Sequence, residues 1–133
     1  MAGGIERHGS GRPLERQVGY SRVVVAGKVI SVSGCAPTNP DGSSAGGDDP
    51  EAQARACIEV IRTALDLVGA TLADVYQTRV YITEAADWEA VGRAHGAAFR
   101  DHPPASTMVV VKALLRPEWK VEIEADALRR EPA

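Results

Sequence analysis

The sequence predicts an α+β fold, with two helices packed on one face of a mixed sheet in the order β-β-α-β-α-β-β. Three observations predict it. Apolar residues recur at helical 3- and 4-residue spacing twice, through Ala54, Cys57, Ile58, Ile61, Leu65 and Val68, and again through Trp88, Val91, His95 and Phe99. Five short runs rich in Val, Ile, Thr and Tyr surround them. The links between these segments are short, and alternation of this kind places helices against a sheet. A length of 133 residues is that of one ordinary domain.

In chain order, residues 1–16 hold Gly, Arg and Glu without periodicity and read as a loose arm. Residues 17–130 then form the single domain. Strands are expected over residues 20–26 and 28–33, with Gly27 as the turn between them. Residues 36–47 (APTNPDGSSAGG) are a polar loop. The first helix begins sharply: Asp49 caps it, Pro50 suits its first position, and Glu51 favours the positive end of its dipole. Gly69 ends it. A strand over 75–83 and a helix over 86–99 follow. His102-Pro103-Pro104 breaks the chain before the last strands, at 105–111 and 119–128.

Alternation then assigns faces. Val80, Ile82, Val109, Val111, Val121 and Ile123 are expected under the helices. Gln77, Arg79, Tyr81, Ser106, Met108, Glu122, Glu124 and Asp126 are expected on the other side. A face that mixes charge with Tyr and Met is either solvated or a subunit interface with small-molecule sites in its gaps.

Composition excludes several classes of function. Fifteen Lys and Arg against eighteen Asp and Glu give a net charge of −3, so no basic excess exists to pair with a nucleic-acid backbone. The longest charge-free stretch, residues 29–40, contains two prolines and falls short of the roughly 20 apolar residues of a membrane span. The N-terminal MAGGIERHGSGRP has no apolar core of signal-peptide type, and a cytoplasmic location is expected. Cys35 and Cys57, 22 residues apart and without ligand-spaced neighbours, are expected as free thiols and not as a metal site. Cys57 falls on the helical stripe, and Cys35 ends the second strand beside a possible pocket.

Four segments taken together, GYSRVVVAGKVISVSGCAP, GATLADVYQTRVYIT, PASTMVVV and KVEIEADAL, resemble the Rid (reactive intermediate deaminase) family, also called YjgF or L-PSP. The resemblance spans about residues 18–128. It implies a chorismate-mutase-like fold, a homotrimer whose sheets line a central barrel, and a small-molecule cleft at each subunit junction. It further implies hydrolysis of enamines and imines to a keto compound and ammonia, with no metal or organic cofactor; charge and hydropathy add the expectation of no nucleic-acid or membrane partner.

Matched residue by residue, the resemblance places a cleft tyrosine at Tyr20, the S-G pair at Ser33 and Gly34, and the water-positioning glutamate at Glu122. Cys35 and Met108 are expected to shape the same cleft. The family's carboxylate-clamping arginine has no counterpart: Ser106 follows Pro104-Ala105 in its place. A serine offers one neutral hydrogen bond where an arginine offers two charge-assisted ones. The expected substrate is therefore an enamine or imine other than simple 2-aminoacrylate. The alternatives are a non-catalytic ligand-binding trimer and, disfavoured by charge, an endoribonuclease. Arg79 is a candidate for the missing positive charge, against a salt bridge to nearby acids, and His95 is read as a packed histidine or a titratable site residue.

Overall fold

The computed structural model describes residues 4–130. Six strands and three helices appear in it: β1 (Ile5–His8), α1 (Pro13–Val18), β2 (Val23–Ala26), β3 (Val29–Cys35), α2 (Pro50–Asp66), β4 (Val75–Ile82), α3 (Trp88–Phe99), β5 (Ala105–Val110) and β6 (Val121–Leu128). The strands form one sheet in the order β1-β2-β3-β6-β4-β5. Only β4 and β5 pair in parallel, because α3 carries the chain back between them.

The expected core elements are present. Gly27 turns the β2–β3 hairpin at φ +63°, a conformation that a Cβ disfavours. The Asp49 side chain accepts from the Glu51 amide at the start of α2. The stripe of α2 lies on the sheet, with Cys57, Ile61 and Leu65 wholly buried against Val80, Val121 and Ile123. Trp88, expected on the buried stripe of α3, is 58% exposed because the helix begins there.

Two expectations are corrected. The loose arm of residues 1–16 is instead largely built into the fold: β1 pairs antiparallel with β2, from Ile5 opposite Ala26 to His8 opposite Val23, and α1 follows. Unpaired backbone groups along the outer edge of β2 supply the reason, since a further strand satisfies them. Met1 to Gly3 lie outside the described residues.

The second correction concerns β5. Its register sets Ser106 beside Thr78, Met108 beside Val80 and Val109 beside Tyr81. Ser106 and Met108 therefore share the helix-side face, while Val109 shares the open face and is 42% exposed. A one-residue error of phase moves every side chain of a strand across the sheet. An edge strand with few buried positions gives weak internal evidence of its phase.

Candidate functional site

A cavity of about 330 Å³ opens on the far side of the sheet from α2, between α1, the 36–43 loop, the 115–119 loop and β6. Tyr20, Gly34 and Glu122 line it, as do Arg12, Arg22 and Trp119.

β3 and β6 shape its floor. Their register runs from Val32 opposite Ala125 to Cys35 opposite Ile123, so β3 carries one extra residue in the interval. That bulge turns Ser33 and Gly34 out of the regular pleat. A Cβ at Gly34 would lie 2.8 Å from Glu122 Oε2. Glycine there is what gives the carboxylate its place.

Arg22 holds the floor together. It is 3% exposed. Its Nε donates to Glu15 Oε2 at 3.1 Å, Nη1 to the Gly34 carbonyl at 2.8 Å, and Nη2 to Tyr20 Oη at 3.1 Å. Glu15 in turn accepts from the Ser10 amide at 2.8 Å and from the Ser10 hydroxyl. Burial alone would raise the Glu15 pKa, but these bonds outweigh it and the carboxyl titrates below its ordinary value. Arg12 lies alongside, its Nε donating to Thr38 Oγ1 at 2.8 Å.

Glu122 differs from Glu15 in its partners. No hydrogen bond or ion pair reaches its carboxylate from the described residues, and the side chain is half-buried. Desolvation raises its pKa, Arg22 opposes that rise, and Glu124 adds to it. A carboxyl with its pKa raised from the ordinary value, unpaired and facing a cavity, is equipped to exchange a proton with a bound molecule.

The other predicted residues are dispersed. Ser33 spends its hydroxyl on the Ser21 carbonyl at 2.7 Å. Cys35 is wholly buried behind the cavity, its thiol pushed up to about 11 by burial, and it does not shape the cleft as expected. Cys57 is equally buried, so both thiols are free but inaccessible. Arg79 lies on the open face in ion pairs with Asp126 at 3.1 Å and Glu124 at 3.7 Å, away from the Glu122 cavity. Met108 packs against the core. Ser106 stands at the exposed edge strand, bonded to Thr78, and within one chain it does not reach Glu122's cavity.

The sequence reading missed Arg22, Arg12 and Trp119. Arg22 had a signal: it is the one charge abutting the apolar VVVA run. Arg12 had none, since its segment lacks periodicity. Among the described residues no three His, Cys, Asp or Glu side chains converge where a metal ion would fit.

The model of the Endoribonuclease L-PSP family matches residues 12–129. The chain belongs to this family. L-PSP relatives include the 2-iminobutanoate/2-iminopropanoate deaminase of Salmonella typhimurium, 32% identical over 114 residues, 84% of this chain and 88% of that protein. Among solved structures, Rv2704 of Mycobacterium tuberculosis, a member of the YjgF/YER057c/UK114 family, is 42% identical with a TM-score of 0.85, covering 94% of this chain and 99% of that one. Escherichia coli TdcF with bound serine is 28% identical with a TM-score of 0.75, covering 84% and 88%. The α+β, chorismate-mutase-like fold of this L-PSP protein stands on these likenesses. No helix among its described residues is long and apolar enough to cross a membrane.

Proposed function

We propose that this L-PSP protein hydrolyses an enamine or imine other than simple 2-aminoacrylate, in a cleft completed where subunits of a homotrimer meet. The observation that carries the reading is Glu122: an unpaired, half-buried carboxylate with a raised pKa, lining a cavity with Tyr20 and Gly34. A deaminase-named relative at 32% identity supports the reaction class.

The chemistry asks little of the protein. Water adds to the C=N carbon while Glu122 takes one of its protons and passes it to nitrogen, giving the carbinolamine R₂C(OH)NH₂. Glu122 then takes the hydroxyl proton and delivers it to the same nitrogen as the C–N bond breaks, so that ketone and ammonia leave. The sum is R₂C=NH + H₂O → R₂C=O + NH₃. A carboxyl whose pKa lies nearer the working pH serves both halves of that exchange. Tyr20 Oη, oriented by Arg22, is placed as a further polar contact in the cavity.

Association is supported by the open edge of the sheet. Val109 and Val110 on β5 are 42% and 55% exposed, and Leu115 beyond it is 74% exposed. An apolar edge strand left bare is a liability that a partner removes. Three chains of 14.1 kDa give about 42 kDa by light scattering; a stable monomer at micromolar concentration would remove the shared cleft. The catalytic test is ammonia release from imines generated in place by an amino-acid oxidase. Turnover lost in Glu122→Gln is expected.

Ser106 favours the second reading, a ligand-binding trimer without turnover, because it cannot clamp a carboxylate as an arginine does. Saturable binding with no ammonia from any imine would select it. The ribonuclease reading has descriptive names behind it, the family's and that of a Thermotoga maritima structure 32% identical to this chain, against a net charge of −3.

A further inference from the structure

A second cavity, of about 710 Å³, adjoins the first and takes no part in the chemistry assigned to Glu122. Its size is that of a small-molecule site. The two cavities share Arg12, Pro13, Gln17 and Tyr20 as walls. The charge of the second is one-sided. Arg7 of β1, Arg12 at the cap of α1 and Arg16 within α1 all line it, and its one acidic wall residue is Glu15. That carboxylate is already committed to Arg22 and Ser10. Among the described residues, none of the three arginines has a carboxylate partner. In a chain of net charge −3, three such cations in one cavity reverse the sign of the molecule locally.

Arg12 gives the cluster a fixed geometry. A guanidinium has five N–H groups. Here Nε donates to Thr38 Oγ1 at 2.8 Å, Nη1 to Ser10 Oγ at 3.0 Å and Nη2 to the Thr38 carbonyl at 3.2 Å. One N–H on each terminal nitrogen is left over, the pair that grips two oxygens of one anion. All three acceptors are uncharged. The guanidinium is half-buried, and burial first and the nearby Arg22 second press its pKa below the usual value. A bound anion relieves both effects. Arg7 and Arg16 are exposed, and they bring their charges to the same cavity from a strand and a helix.

The number of cations selects the ligand. A carboxylate, with one charge and two oxygens, satisfies a single guanidinium fork. A phosphate monoester carries about −1.5 to −2 and three terminal oxygens at neutral pH, enough for more than one arginine. We propose that Arg7, Arg12 and Arg16 bind the phosphate of a phosphorylated small molecule whose other end passes Tyr20 and reaches Glu122. The reacting end rests on the reading of Glu122 as the hydrolytic group, and makes the substrate a phosphorylated enamine or imine. The phosphate site itself does not need that reading. A nucleic acid fits less well, because the chain as a whole is acidic.

Phenyl phosphate and phenyl sulfate, alike in shape and different by one charge near pH 8, make the test. Isothermal titration of the intact protein is expected to show phenyl phosphate binding about tenfold tighter, the worth of one further charge-assisted hydrogen bond. Arg12→Gln should weaken it about ten- to a hundredfold. Because that change also releases Ser10 and Thr38, a second variant keeps the test clear of misfolding. Arg7→Gln combined with Arg16→Gln, both on exposed side chains, should weaken binding about two- to thirtyfold with an unchanged urea midpoint. Arg62→Gln, outside the cavity, should change nothing. Equal affinity for the two compounds, binding of neither, an affinity untouched by both arginine variants, or a short single-stranded RNA held more tightly than phenyl phosphate would overturn the proposal. Ammonia release reads the hydrolase proposal separately. Phenyl phosphate binding without turnover of any imine sinks that proposal alone, and imine turnover without phenyl phosphate binding sinks this one alone.

Discussion

Two carboxylates flank Arg22, one beneath the cavity and one at its wall, and they teach different things. Glu15 is 6% exposed, ion-paired to Arg22 and hydrogen-bonded twice by Ser10. Glu122 keeps a share of solvent and has no partner at all among the described residues. Burial raises the pKa of both; only Glu15 has enough donors to reverse it. The saturated acid is architecture and the unsatisfied one is chemistry. A shared neighbour does not make a shared role.

Removing the arginine breaks the comparison most severely. Arg22→Met would leave the Glu15 charge buried without its cation and the Gly34 carbonyl without its donor. Loss of one partner of a buried pair costs about 3–5 kcal/mol, to be read as a shift of the urea unfolding midpoint. A loss under about 1 kcal/mol would show that Glu15 simply takes up a proton and the floor survives without its ion pair.

Acidification separates the two carboxylates by sign. Glu15, with its folded pKa lowered, contributes stability that is present above its unfolded pKa and is lost as pH falls through the folded one. Glu122, with its folded pKa raised, destabilises progressively as pH rises from its unfolded pKa through the folded value. Glu15→Gln should therefore flatten the acid limb of a stability-against-pH curve. Glu122→Gln should make the protein slightly more stable at neutral pH. Equal effects of the two substitutions would erase the distinction drawn between them.

Gly34→Ala sharpens the comparison further. The new methyl would displace the far end of Glu122, a flexible group, so stability should change by no more than about 1 kcal/mol. The carboxyl would swing toward water, and its raised pKa should relax toward the ordinary value in a carbon-detected NMR titration. Turnover or ligand binding should fall with it. The smallest effect belongs to the cysteines. With Cys35 titrating at about 11 and Cys57 also raised by burial, neither should react with an aromatic disulfide reagent at pH 8 until the chain unfolds. Rapid labelling of one thiol in the folded protein would contradict the buried placement.

Much of the fold was legible because it rests on local periodicity. The cap at Asp49, the stripe of α2, the Gly27 turn and the alternation of β4 and β6 each follow from rules spanning a few residues. Alternation also put Glu122 on the open face, but with Glu124 and Asp126 beside it, and it was the family resemblance that singled it out. β5 was misread because its alternation, ASTMVV, is nearly symmetric between faces, and only pairing with β4 selects one. The arm was misread because β1 has no apolar pattern of its own and forms by borrowing the edge of β2.

By itself, then, the chain determined where α2, α3 and the strands from β2 onward lie, which faces of α2, β4 and β6 are apolar, and which family motifs they carry. Only the tertiary structure decided which charges are satisfied. Arg22 lies seven residues from Glu15 and twelve from Gly34 in sequence, and the bulge in β3 brings these groups to one point. His95 and Ser106 meet through Thr78 in the same way, across three elements. Periodicity is a property of neighbours along the chain. Desolvation, pairing and pKa are properties of neighbours in space, and these exist only once the sheet has chosen its register.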